Sequence, residues 1–110
     1  MKGIAKLTDD PAILNSGNLA ADLNRQGVRV YKTGNLVEAR AVFRKALGLQ
    51  PKNISIALNM AQSLLHGTDT SLPSAELIEC RTCLKMVGLM PDSDPRFPRY
   101  QKLKTKAFGA

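Results

Sequence analysis

From Asn18 onward, apolar positions recur along this chain at helical spacing. Leu19, Leu23, Gly27 and Val30 follow one another at intervals of four, four and three, which stacks them on one face of an α-helix. Asp22, Arg25, Arg29 and Lys32 fall largely elsewhere on the same helix. Thr33-Gly34 predicts its end, because glycine readily takes the positive φ of a helix terminus. Asn35-Leu36-Val37-Glu38 then reads as a capping box, with Asn35 as cap and Glu38 able to reach back. Leu36, Ala39, Phe43, Ala46 and Leu47 make the apolar stripe of a second helix, which Gln50-Pro51 stops. Two antiparallel helices joined by a tight turn follow from this spacing.

The pattern restarts after Pro51-Lys52-Asn53, with Asn53 as cap and Ile54, Ala57, Ala61, Leu64 and Leu65 on one face. Gly67 to Ser74 is rich in turn formers and predicts a long loop. A fourth helix is expected from about Ser74 to Leu89, lined by Leu77, Cys80, Leu84 and Val87 and closed by Pro91. Asp94-Pro95 reads as a further cap and first-turn proline. Phe97, Tyr100, Leu103 and Ala107 give a last helix its stripe, and Pro98 is tolerated only in the first turn. Residues 1–17 are weakly patterned. Asp10-Pro11 can start a helix there and Gly17 predicts its end, so at most one short helix is expected before residue 18.

The expected fold is all-α. The helical domain spans 18–110, with a first helix pair at 20–53, a stretched second pair at 54–93 and a closing helix at 95–107. Residues 1–17 form a loose segment or linker.

The order Leu23, Gln26-Gly27, Val30, Gly34, Ala39, Phe43, Ala46-Leu47, Pro51 resembles the tetratricopeptide repeat, a helix–turn–helix unit of about 34 residues. Small residues recur in it where two helices touch. A more specific resemblance covers nearly the whole chain. Leu23-Asn24-Arg25-Gln26-Gly27-Val28-Arg29 with Tyr31, Phe43-Arg44-Lys45-Ala46-Leu47, Leu58-Asn59-Met60-Ala61-Gln62-Ser63-Leu64-Leu65 and Arg99-Tyr100-Gln101-Lys102-Leu103 look like the C-terminal part of certain bacterial response regulators. Those proteins carry a phosphoacceptor receiver domain followed by tetratricopeptide repeats. This sequence shows no alternating strand and helix pattern, and Asp9-Asp10 alone is not a receiver's acidic cluster. The resemblance therefore implies an output or scaffold module cut from a longer protein. Two departures stand out. Pro51 and Pro91 are 40 residues apart, and Glu79 stands where a small residue is expected.

The resemblance also implies a site. In this fold the first helix of each pair lines a concave groove that receives a peptide or helix. That puts Asn24, Val28, Tyr31 and Lys32 in the groove from the first pair, and Leu58, Asn59, Gln62 and Leu65 from the second. Asn24 and Val28 stand where a clamp for a terminal carboxylate would place Lys and Asn, which argues against such a clamp.

Composition narrows the function classes. The chain has 110 residues, enough for one domain, and no Trp. No apolar run approaches the roughly 20 residues that cross a bilayer, and no secretory leader is evident, so a cytoplasmic protein without membrane contact is expected. The net charge of +7 favours an acidic partner. The densest basic run is Arg96, Arg99, Lys102, Lys104 and Lys106. It supports the alternative reading, in which the last helix binds nucleic acid or an acidic partner, although most such runs are solvated faces.

Cys80 and Cys83 form a C-x-x-C pair, the spacing of a redox motif or half a zinc site. No second pair accompanies them and His66 is the sole histidine, so packing is the expected role. Neither a nucleophile–histidine arrangement, a paired carboxylate nor a phosphate loop is present. No enzyme activity, metal or cofactor is expected. Two and a half repeats fall short of the three usually needed for stability, so a homo-oligomer is also expected.

Overall fold

The computed structural model describes residues 11–109. Among them run five α-helices and no strand: α1 (Pro11–Lys32), α2 (Leu36–Leu49), α3 (Ile54–Leu65), α4 (Ala75–Met86) and α5 (Phe97–Phe108). The all-α expectation holds.

Local chemistry places the boundaries. Gly34 closes α1 at φ +87°. Asn35 caps α2, its side chain accepting from the Glu38 backbone N–H at 3.2 Å. Glu38 answers through its carboxylate, which accepts from the Asn35 side-chain amide at 3.2 Å rather than from the backbone. Asn53 caps α3 by accepting from the Ile56 N–H at 3.0 Å, and Ser74 does the same for α4 toward Leu77 at 3.1 Å. These caps are each worth on the order of 1 kcal/mol.

Three boundaries differ from expectation; one is the end of α4, at Met86 and not near Leu89. Gly17 does not interrupt α1, which begins at Pro11 and runs through it. A single internal glycine costs a helix about 1 kcal/mol, too little to break twenty-two residues. The expected Asp10 cap lies outside the described residues. At the other end, α5 starts at Phe97, not 95. Asp94 closes a separate turn: its carbonyl accepts from the Phe97 N–H at 2.9 Å and its carboxylate from the Arg96 N–H at 2.8 Å. Pro98, one residue inside α5, is accommodated in its first turn.

The helices pack in sequence, with α1 on α2, α2 on α3, α3 on α4 and α4 on α5. Alternate helices also meet, α1 with α3 and α3 with α5. The third helix is thus touched from four sides. It buries Ile56, Ala57, Leu58, Met60, Ala61, Leu64 and Leu65, far more than one stripe. The expected faces of α2, α4 and α5 are the buried ones: Ala39, Phe43 and Ala46; Leu77, Cys80, Leu84 and Val87; Tyr100, Leu103 and Ala107. The long loop expected between α3 and α4 is present, and in it Gly67 takes φ +73° and Asp69 accepts from the Ser71 N–H and hydroxyl.

Two arginines, one on the second helix of each pair, close the helix that follows. Arg40 of α2 donates to the Ser63 and His66 carbonyls at 2.8 and 3.2 Å, at the C-terminal end of α3. Arg81 of α4 donates to the Ala107 carbonyl of α5 at 2.7 Å and lies 5.3 Å from the centroid of the Phe108 ring. Both satisfy terminal carbonyls that a helix leaves without partners. On α2 and α4, Arg44 and Glu79 form a two-pronged ion pair at 2.7 and 2.8 Å. Glu79, out of place in a small-residue pattern, is explained by it.

α1 and α2 approach each other closely at Gly27. Gly27 is buried, and a Cβ on it would lie 2.5 Å from Phe43 Cε1. Phe43 is itself 2 % exposed and has little freedom to retreat. Gly48 in α2 has open space around it. Gly27→Ala is therefore expected to lower stability by about 1–2 kcal/mol, overpacking outweighing the gain in helix propensity. Gly48→Ala is expected to raise it by up to about 1 kcal/mol. Urea denaturation of both variants decides: equal effects would remove the Gly27–Phe43 contact as a constraint.

Candidate partner-binding groove

The first helices of the two pairs, α1 and α3, are joined to α5 by a polar ladder. The Asn59 side-chain amide of α3 donates to Asn24 Oδ1 of α1 at 2.8 Å. Arg99 of α5 donates through Nη2 to Asn59 Oδ1 at 2.7 Å, and through Nη2 and Nε to Gln62 Oε1 at 2.7 and 3.1 Å. Each such bond contributes about 0.5–1.5 kcal/mol, more where a charge is involved. Their geometric effect is larger than that sum: three helices are held abreast, with one face in common.

That face carries two adjoining recesses. The smaller, of about 210 Å³, lies between α1 and α3 over the Phe43 ring and takes in Val28, Lys32 and Asn59. The larger, of about 990 Å³, extends along α5 past Leu65, His66, Lys102, Leu103 and Lys106. Tyr31, Gln62 and Arg99 line both, so the two adjoin along one face and are treated together as a groove. Beside the larger recess the Tyr31 hydroxyl and His66 Nδ1 are 2.9 Å apart, the two rings edge to face at 5.5 Å.

Six of the eight residues expected to line a groove do so: Val28, Tyr31, Lys32, Asn59, Gln62 and Leu65. Asn24 joins through the ladder but opens on a separate recess on the other side, with Asn53 and Arg96. Leu58 is a correction. It is fully buried, because α3 is covered on four sides and the position next to Asn59 faces the core. Phe43 was not among the expected lining residues. It belongs to α2 and reaches the groove floor only because Gly27 leaves room above its ring.

The basic run on α5 divides. Arg99, Lys102 and Lys106 turn into the groove. Arg96 is taken up by Asp94, whose carboxylate accepts from its guanidinium at 2.8 and 3.0 Å, and by the Ser55 hydroxyl at 3.1 Å. The hydrogen bonds from Arg96 hold the Asp94 carboxyl at about 2, below its ordinary range. Lys104 is exposed and lines neither groove recess. The five residues expected as one acidic-partner patch are therefore three groove cations and two others. Arg99, half-buried, has its pKa pulled down by burial.

The C-x-x-C cysteines lie away from the groove, in the core between α3 and α4. The Cys80 thiol donates to the Ala61 carbonyl at 3.5 Å. Burial pushes Cys80 up to about 12, with the neighbouring Cys83 adding to the shift, and burial and Glu79 push Cys83 up to about 11.

No protein-family model, curated protein or solved structure matches the chain.

Thiols so shifted carry a thiolate fraction well under about 1 % near pH 8, and the thiolate is the reactive form. Cys80 and Cys83 are expected to resist a thiol reagent such as dithionitrobenzoate in the folded protein and to react fully in urea. Reaction of either at the rate of a free thiol without denaturant would rule out the packing role.

Proposed function

We propose that this chain is a non-catalytic protein–protein interaction module, built from two tetratricopeptide-like helix pairs and a closing helix, that holds a peptide, helix or partner domain in the groove. The observation that carries this reading is the ladder from Asn24 through Asn59 to Arg99. It aligns α1, α3 and α5 side by side and leaves their shared face open along its length. The face has the composition of a peptide site: an apolar floor of Val28, Phe43, Leu65 and Leu103, with amides and cations placed to fix backbone and polar groups.

The repeat reading is supported by the order of contacts, in which successive helices pack and alternate helices meet. It is supported again by the arginine device, used once by Arg40 on α3 and once by Arg81 on α5. Placement as the C-terminal module of a cytoplasmic two-component response regulator rests on the sequence runs around Asn24, Asn59 and Arg99. A phosphorylated receiver would then act on this groove at a distance, by changing what lies beside it.

The test is selection of binders from a short random peptide library on the full chain. The expected binders lose at least about tenfold in affinity when Tyr31 and Gln62 are both replaced by Ala, the range of a central interface contact. They are indifferent to Ile78→Ser on the exposed side of α4. An inert library, or binders that ignore the Tyr31 and Gln62 changes, would overturn the reading.

A further inference from the structure

The groove has a one-sided charge. Lys32 enters it from α1, and Arg99, Lys102 and Lys106 enter from α5. Among the described residues, no Asp or Glu lines either recess. Arg25 pairs with Asp22, Arg44 with Glu79 and Arg96 with Asp94. Among the described residues, Arg99 makes no carboxylate pair; its bonds go to the neutral side chains of Asn59 and Gln62. A half-buried guanidinium held on neutral amides keeps its full charge in a partly desolvated place, where a carboxylate gains more than in open water.

The spacing of these cations matters as well. Arg99, Lys102 and Lys106 are three and four residues apart, so they form one row along α5, about 10 Å long at 1.5 Å per residue. Lys32 stands across the floor on α1. Between them lie the Tyr31 and Phe43 rings and the aliphatic Val28 and Leu65. A partner that satisfies both features needs apolar side chains for the floor and carboxylates for the row. A nucleic-acid strand matches the charge but not the apolar floor, which holds two aromatic rings rather than an extended stacking platform.

We propose that the occupant of the groove is an acidic peptide segment, its apolar side chains seated on the floor over Phe43 and Leu65 and its carboxylates paired with Arg99, Lys102, Lys106 and Lys32. This rests on the reading of the groove as a peptide site and narrows it to one chemistry. Arg99 supplies the fixed central contact, because Asn59 and Gln62 orient it before any partner arrives. The lysines add steering and specificity.

The decisive experiment uses the library-selected peptides on the full chain, with fluorescence anisotropy as readout. The recovered peptides are expected to be enriched in Asp and Glu next to apolar residues. Changing their carboxylates to the matching amides is expected to weaken binding at least about tenfold, as is raising salt toward about 0.5 M. The triple variant Lys32→Gln, Lys102→Gln, Lys106→Gln is expected to lose a similar factor. These exposed side chains can be changed without touching the core or the ladder. The pair Lys45→Gln and Lys85→Gln, exposed on α2 and α4 outside both recesses, is expected to leave affinity within about twofold. Equal losses in the two lysine variants would mean unspecific attraction and would overturn the proposal. So would a single-stranded oligonucleotide that binds more tightly than the peptides and responds to the groove lysines. Neutral peptides that still depend on Tyr31 and Gln62 would defeat the acidic partner while leaving the groove reading intact.

Discussion

The close approach of α1 to α2 at Gly27 is the contact on which the rest of the molecule depends. A helix pair can sit this close only if one partner lacks a side chain at the crossing, and Phe43 fills the space that Gly27 leaves. The ring then serves two environments. It belongs to the core with Ala39, Ala57 and Ala61, and it also lines the smaller recess of the groove. A wider α1–α2 spacing would carry Asn24 away from Asn59 and release the first rung of the ladder. Fold and candidate site are therefore not separable here, because the groove's depth follows from a packing distance in the core.

Arginine does three different kinds of work in this small protein. Arg40 and Arg81 finish helices, donating to carbonyls that the ends of α3 and α5 leave open. Arg44 and Arg96 make carboxylate pairs, Arg44 at the exposed surface, where such pairs contribute little. Arg99 does neither: it bridges α3 and α5 through amides and keeps its charge toward the groove. The difference lies in what surrounds each side chain, since a guanidinium offers the same planar fork everywhere.

This explains what the sequence could and could not show. The helices and their caps were legible because they are local: Asn35, Asn53 and Gly34 act within a few residues of themselves. Six residues that line the two recesses were legible because positions on α1 and α3 that share a face could be read from helical spacing once two helix pairs were expected. Leu58 was not, since its burial depends on four helices converging on α3, which no local spacing encodes. The bonds of Arg40 and Arg81 to the next helix likewise depend on tertiary packing. The division of the basic run was partly legible. Arg99, Lys102 and Lys106 share a helical face by spacing alone, and Lys104 does not, but only the turn at Asp94 shows that Arg96 precedes the helix.

The long loop after α3 bears on how the groove is completed. It separates α3 from α4 in sequence without separating them in space, because Ser74 restarts the chain with a cap and Cys80 and Leu84 regain the core. Its residues lie by Arg40 and His66, at the end of α3 that also holds the Tyr31 contact. The stretch is thus absorbed at the edge of the groove and not in its floor. The ladder between α1, α3 and α5 is unaffected, and each closing arginine still reaches the helix that follows. A long loop is tolerated at this position because each helix contacts mainly its neighbours. The same locality makes the groove depend on a short series of contacts, Gly27 to Phe43, Asn24 to Asn59, and Asn59 and Gln62 to Arg99, each of which orients the next.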